Sequence, residues 1–350
     1  MTEPGRIERL VLRAPNWLGD AVLALPAMAA FRVHFAASHL TIAAPASVAP
    51  LYREATPASP DRVLELPHDD AGAVAALRGG RFNACVLFPN SFRSAWQSRR
   101  AAIPDRWGYQ SSARGWLLTR KVRRPATREP VHHAEYYGEL SRRLGVPCQP
   151  GVAPSMGASE PSVRRAEALL RQYGWAVTGR LVAILPGAAY GQAKQWAPDR
   201  LAELASRLVL EHGARCLVLG ATHDRAASRA IESWLRARAP EAAAGVLDLV
   251  GHTSLGALAG LLSLASLCIS NDSGGMHVAA ALGRPVVAIF GPTDERVTRP
   301  LGDHDVIVES VFCRPCMLRD CPIDHRCMKR ITVDRVLAAA AARLATVRTS

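Results

Sequence analysis

No run of the sequence is apolar for long enough to cross a bilayer; nothing approaches the roughly 20 apolar residues that a helical span needs. The opening residues, MTEPGRIERL, lack the apolar stretch of a secretory leader, which sets the expectation of a cytoplasmic protein. The dinucleotide fingerprint G-x-G-x-x-G is missing, which argues against a dehydrogenase. The phosphate loop G-x-x-x-x-G-K-[ST] is not present either. There is no helix-turn-helix signature, no RNP-type motif and no basic repeat interleaved with aromatics, so nucleic acid is not an expected partner. Acidic residues are in deficit: 43 Lys and Arg stand against 30 Asp and Glu, a net charge of +13. With nucleic acid set aside, that balance suits phosphorylated substrates or an anionic membrane surface.

What is present is an alternation of short apolar runs with helical patterns. The length of 350 residues is too great for one ordinary core, and the 49% hydrophobic content is that of a globular protein. In the first half, ERLVLRA, HLTIAAP, RVLELP and FNACVLFPN have the pattern of strands. Asp20 to Phe35 has the apolar spacing of a helix, and HHAEYYGELSRRLG that of a helix closing this half. Pro147 to Pro161, PCQPGVAPSMGASEP, has the composition of a linker. Beyond it the rhythm restarts with a helix over Val163–Tyr173, then LVAILPG, PDRLAELASRLVLEHG, CLVLG, DRAASRAIESWLRARAP, LDLVG, SLGALAGLLSLAS, LCISND, GMHVAAALG and PVVAIFGPT. Repeated βα units of this kind predict an α/β protein with open, doubly wound parallel sheets, which bind ligands at the carboxyl ends of their strands. The expected domains are residues 1–155 and 162–330, followed by a final Ala-rich helix over 332–347.

Three turns stand out by their chemistry. APNWLGDAVLA, Ala14 to Ala24, places Asn16, Trp17, Gly19 and one carboxylate, Asp20, between the first strand and the first helix. An N-cap role for Asp20 is one sound reading. SNDSGGMHVAAALG, Ser270 to Gly283, leaves a strand through Asp272, Ser273, Gly274 and Gly275 into a helix carrying His277. Free backbone N–H groups and the helix dipole make such a turn an anion site, although an ordinary capped turn would use the same residues. LPGAAYGQAKQW, Leu185 to Trp196, also follows a strand and carries Gly187, Gly191 and Lys194, whose ammonium suits a phosphate or is simply solvated. Together with FGPT, Phe290 to Thr293, at the end of the last strand, these turns suggest a pocket for a nucleoside diphosphate.

Of eight Cys, Cys85, Cys148, Cys216 and Cys268 are scattered and suit small buried hydrophobes. The other four, Cys313, Cys316, Cys321 and Cys327, lie in the loop 313–327 as C-x2-C-x4-C-x5-C with His325 between the last two. Two readings stay open: a structural metal held by four thiolates, or reduced thiols packed in a loop.

In register along the chain, PNWLGDAVLALPA, GAAYGQAKQW, NDSGGMHVAAALGRPVVAIFGPT and the cysteine run with its following helix resemble the lipopolysaccharide heptosyltransferases. The resemblance spans about Leu10 to Leu344, and the PNWLGD and GAAYG-x-AK wording favours the second transferase of that family over the first. It implies a GT-B fold, two Rossmann-like doubly wound domains facing a cleft. It also implies inverting transfer of heptose from ADP-heptose to a lipid A–Kdo core already bearing one heptose, with no metal required for the chemistry, at the inner face of the inner membrane. By the same resemblance Asp20 is the general base, beside a pocket shaped by Asn16, Trp17 and Gly19 with Gly19 allowing the turn. Lys194 would contact the pyrophosphate, Ser273, Gly274 and Gly275 would cradle it, Asp272 and His277 would meet heptose or phosphate, and Thr253 would lie near the adenosine. Ala188 and Ala189 stand where relatives often carry a hydroxyl, leaving only backbone groups there. The last helix would cross back to the first domain. His132 and His133, with Arg120, Lys121, Arg123 and Arg124, are further residues for acceptor phosphates, or plain surface groups on a loop. Alternatives are the first heptosyltransferase, another GT-B transferase with a different nucleotide sugar, or a nucleotide- or nucleic-acid-binding protein without catalysis.

Overall fold

A computed structural model describes residues 7–111, 113–124, 129–175, 179–189 and 191–346. Residues 1–6 of the opening stretch, Tyr190 and Val347, which the sequence patterns above include, lie outside them. The chain divides into two compact units, Met1–Met156 and Gly157–Ser350.

The first unit is a six-stranded sheet formed by β1 (Arg9–Arg13), β2 (His39–Pro45), β3 (Arg62–Leu66), β4 (Ala84–Leu87), β5 (Asp105–Tyr109) and β6 (Arg120–Val122). All neighbours are parallel, in the order β3-β2-β1-β4-β5-β6. Leu10, Val11 and Leu12 of β1 are wholly buried, because a central strand of a parallel sheet is covered by helices on both faces. The helical stretch expected from Asp20 to Phe35 is two helices, α1 (Leu18–Leu23) and α2 (Leu25–His34). Pro26 explains the division: its ring fixes φ and it has no N–H, so it is accepted in the first turn of a helix but not in the middle of one. Helices α3 (Asp70–Gly79), α4 (Phe92–Arg100) and α5 (His133–Arg143) complete the unit.

The second unit repeats the plan. Its strands are β7 (Leu181–Leu185), β8 (Arg215–Val218), β9 (Val246–Asp248), β10 (Leu267–Asn271), β11 (Val286–Phe290) and β12 (His304–Val308), parallel in the order β12-β11-β10-β7-β8-β9. Its helices are α6 (Glu160–Gln172), α7 (Pro198–His212), α8 (Arg225–Arg238), α9 (Pro240–Ala243), α10 (Leu255–Leu264), α11 (Gly274–Ala281), α12 (Glu295–Thr298), α13 (Arg326–Lys329) and α14 (Val333–Thr346). Helix α7 stops at Gly213, whose φ of 62° is a left-handed conformation that glycine adopts without penalty. Val333, Val336, Leu337, Ala340 and Leu344 of α14 belong to the second unit's core, packed with α7 and the strands β10 to β12.

Strand order places the chemistry in each unit. In the first, the chain builds outward from β1 through β2 to β3 and then restarts on the other side with β4. In the second, it builds from β7 to β9 and restarts with β10. The loops leaving β1 and β4, and those leaving β7 and β10, therefore diverge, and the crevice at such a switch point is where open α/β sheets bind ligands.

Candidate functional site

At the first unit's switch point an open pocket of about 460 Å³ is lined by Asn16, Trp17 and Asp20 from the β1 side, by Phe88 to Ser91 from the β4 side, and by Arg124, His133, Tyr136 and Tyr137. Asp20 is the third residue of α1. It does not cap the helix: the cap position belongs to Trp17, which contributes no side-chain bond. The carboxylate instead meets a partner 113 residues away, with Asp20 Oδ1 2.9 Å from Nδ1 of His133. Since an ionised carboxylate only accepts, the contact is a hydrogen bond when Nδ1 carries the proton. His133 is thus brought to Asp20 by the first turn of α5, while His132 caps that helix by accepting from the Ala134 N–H. The Tyr137 hydroxyl is pushed well above its ordinary titration range, first by burial and then by the Asp20 charge, so it stays a neutral phenol beside the carboxylate.

The floor is stiff. Arg13, buried under the turn, donates to the Ala14 carbonyl at 2.9 Å and to Asn16 Oδ1 at 3.1 Å. Burial lowers its pKa to about 10, which still leaves it a cation at neutral pH. Asn90 Nδ2 donates to the Tyr136 hydroxyl at 2.8 Å, and the Arg124 guanidinium lies 5.9 Å from the centre of the Tyr136 ring. Arg120 covers Trp107 instead and Lys121 is exposed, so of the expected basic group only Arg124 lines the pocket. Gly19 is a correction: it sits inside α1, not among the glycines of positive φ, and Pro15 to Trp17 make the turn.

The second unit's switch point is more deeply enclosed. Lys194, on a short 3₁₀ turn after β7, places Nζ 2.5 Å from Asp272 Oδ2, just past β10. The same oxygen accepts from Thr293 Oγ1 at 2.7 Å. Asn271 ties the two loops together, donating from Nδ2 to the Pro186 carbonyl at 2.7 Å and accepting at Oδ1 from the Trp196 N–H at 3.1 Å. Ser273 occupies the cap position of α11 without a side-chain cap bond, its Oγ lying 3.0 Å from Ser270 Oγ. Ser273 and Gly274 are half-buried, and His277 is buried in the same helix. Gly275 packs closely, because a Cβ there would stand 2.0 Å from Leu185 Cδ2 and that side chain would have to move. At Gly187 a Cβ would run into the buried Asp224 carboxylate at 2.3 Å, so that loop also needs its glycine. Thr253 stands apart from this cluster in sequence topology, in the loop after the edge strand β9. Thr293 entered the sequence reading only within FGPT; its bond to Asp272 depends on a fold contact that no local pattern shows.

The scattered cysteines behave as hydrophobes: Cys85, Cys216 and Cys268 are buried, and burial raises all three thiols. In the clustered run Cys327 is buried, Cys313 and Cys321 are half-buried and Cys316 is exposed. Burial foremost, then the neighbouring cysteines, raise the Cys327 thiol. Among the described residues no group of three or more His, Cys, Asp or Glu is placed to hold a metal.

The sequence profile described as glycosyltransferase family 9 (heptosyltransferase) matches residues 73–326. Lipopolysaccharide heptosyltransferase 2 of Escherichia coli K12 is 28% identical over 317 residues, covering 87% of this chain and 88% of that protein. Lipooligosaccharide heptosyltransferase 2 of Haemophilus ducreyi is 26% identical over 343 residues, covering 94% and 97%. Among solved structures, E. coli ADP-heptose LPS heptosyltransferase II superposes with a TM-score of 0.81 at 28% identity, covering 96% of this chain and 98% of that one. The fold class is accordingly GT-B.

Proposed function

The chain belongs to glycosyltransferase family 9, the heptosyltransferases, and from that premise we propose that it moves heptose from ADP-heptose to the heptose-bearing inner core of lipopolysaccharide, inverting the sugar carbon. The observation that carries this reading is Asp20: a carboxylate at a switch point, uncommitted to helix capping and oriented by His133. In the proposed reaction the acceptor hydroxyl gives its proton to Asp20 as its oxygen bonds to the anomeric carbon, and the bond from that carbon to the diphosphate oxygen breaks with its electron pair leaving on ADP. His133 and the neutral Tyr137 phenol hold the carboxylate in place.

The leaving diphosphate gains negative charge as the bond breaks. Lys194 and the backbone N–H groups of Ser273, Gly274 and Gly275 at the start of α11 are suited to that charge, and they stabilise it more in the transition state than in the ground state. In the structure the Lys194 cation is already matched by Asp272; a bound diphosphate would draw on the same cation. Asp272 and His277 remain the residues for heptose or phosphate, and Thr253 for the adenosine side. The chemistry assigned to these residues needs no metal.

No helix among the described residues is long and apolar enough to cross a membrane. The lipid-borne acceptor puts the enzyme at the inner face of the inner membrane as a peripheral protein, and the net charge of +13 suits an anionic surface. The test is transfer of labelled heptose from ADP-heptose to acceptors with and without the first heptose. Label on the heptose-bearing acceptor alone is the expected result. Label on the heptose-free acceptor would assign the chain to the first transferase instead, and label from a different nucleotide sugar alone would refute the donor.

A further inference from the structure

The cysteine-bearing segment 311–331 has no task in the transfer as described so far. We propose that it is a clamp that sets the geometry of the donor-side cluster, with Arg314 and His325 as its positioning residues; this rests on the donor role given to Lys194 above.

Two loops meet at the Asp272 carboxylate, one bringing Lys194 and the other Thr293. The segment grips each of them through backbone groups. On the Lys194 loop both polar groups of Ala193 are taken: its N–H donates to the Arg319 carbonyl at 2.9 Å, and its carbonyl accepts from His325 Nε2 at 2.6 Å. A carbonyl oxygen can only accept, so Nε2 carries the proton. On the Thr293 loop, Arg314 is almost wholly buried and donates from Nε to the Gly291 carbonyl at 2.7 Å and from Nη2 to the Thr293 carbonyl at 2.6 Å. The Met317 N–H adds a bond to the Pro292 carbonyl at 3.0 Å. Glu295 fixes the same Arg314 nitrogen at 2.6 Å, which matches its charge and holds its plane.

Contact is close at both ends. A Cβ at Gly191 would lie 2.5 Å from the Arg319 carbonyl oxygen, and one at Gly291 would lie 2.9 Å from Met328 Cγ. His325 itself adopts φ 59°, a region that residues with a side chain seldom use, and it does so where its ring reaches Ala193. One segment therefore spaces the residue before Lys194 against the carbonyl of Thr293, and so sets where the ammonium and the hydroxyl stand around Asp272. Misplacing a charged group by about 1 Å is enough to cost up to ~100-fold at a site of this kind. The segment's structural purpose is then served by hydrogen bonds, with its thiols reduced.

The test uses the full chain with His325→Ala, His325→Gln and Arg314→Met. ADP affinity is measured by calorimetry and backbone hydrogen exchange is followed in peptides covering 187–196 and 290–294, with thermal unfolding as the check on folding. His325→Ala should weaken ADP binding about two- to tenfold and speed exchange at 191–194, while the KM for acceptor stays put. His325→Gln, whose amide can still donate to Ala193, should recover most of the affinity. Arg314→Met should speed exchange at 291–293 instead. Folded variants with wild-type exchange in both loops would overturn the clamp. Should Arg314→Met not fold, the His325 pair decides by itself. Wild-type protein that fails to bind ADP at all, with the exchange changes still seen in the variants, would refute the donor reading and leave the clamp standing.

Discussion

The two units share a sheet plan and differ at the switch point. In the first, Asp20 and His133 are partly open, their side chains 25% and 40% exposed. In the second, Lys194 and Asp272 are closed in, at 12% and 5%. The difference follows from the job proposed for each. A base must touch a hydroxyl that comes and goes, and so must stay open to it. A cation that grips a diphosphate gains from low dielectric, but a lone buried ammonium is costly, and Asp272 supplies its counter-ion. Similar strand orders thus frame an open carboxylate in one case and a closed-in, paired charge in the other.

Breaking the first half of the comparison should have the largest effect. Asp20→Asn removes the proton acceptor with little change of shape, and kcat should fall by about 10²–10⁴-fold; steady-state transfer assays check it, and a near-wild-type rate would remove Asp20 from the chemistry. On the other side, Lys194→Met should lower the rate by about 10²–10³-fold and weaken ADP-heptose binding together. It also strands a buried carboxylate, so denaturant titration should show a loss of up to ~3–5 kcal/mol, with Lys194→Met combined with Asp272→Asn regaining much of that stability. Unchanged stability in the single variant would mean that Asp272 finds another partner. Gly275→Ala sharpens the packing side: its methyl has no room beside Leu185, and thermal unfolding should report about 1–3 kcal/mol lost. The smallest effect is expected for His133→Gln, about tenfold in kcat for one hydrogen bond to a charged group worth ~1.5 kcal/mol. A larger loss than that for Asp20→Asn would reverse the roles of the pair.

Much of this was legible in the chain because the signals are local. The βα rhythm, the central strands and the Gly213 stop are all set by neighbours within a turn or two. So were the three polar turns, since they follow strands whose carboxyl ends open the switch points. The missed parts have non-local causes. Strands β5 and β6, DRWGY and RKV, are too short and mixed to show alternation. Helix α4, FRSAWQSRR, has few apolar residues because only one narrow face is covered. The Asp20–His133 contact and the Thr293–Asp272 bond span 113 and 21 residues, and only the assembled sheet brings them together. The cysteine run left a metal and packed thiols both open, and the contacts of Arg314 and His325 in the same loop go to backbone carbonyls, which leave no spacing to detect.

The division of labour between the units is tested most directly by titrating Asp20→Asn with ADP-heptose and comparing its dissociation constant with the wild-type value. The account predicts the same affinity in a protein that hardly turns over. A dissociation constant raised as far as in Lys194→Met would contradict it, placing Asp20 in donor binding and leaving the proton without its acceptor.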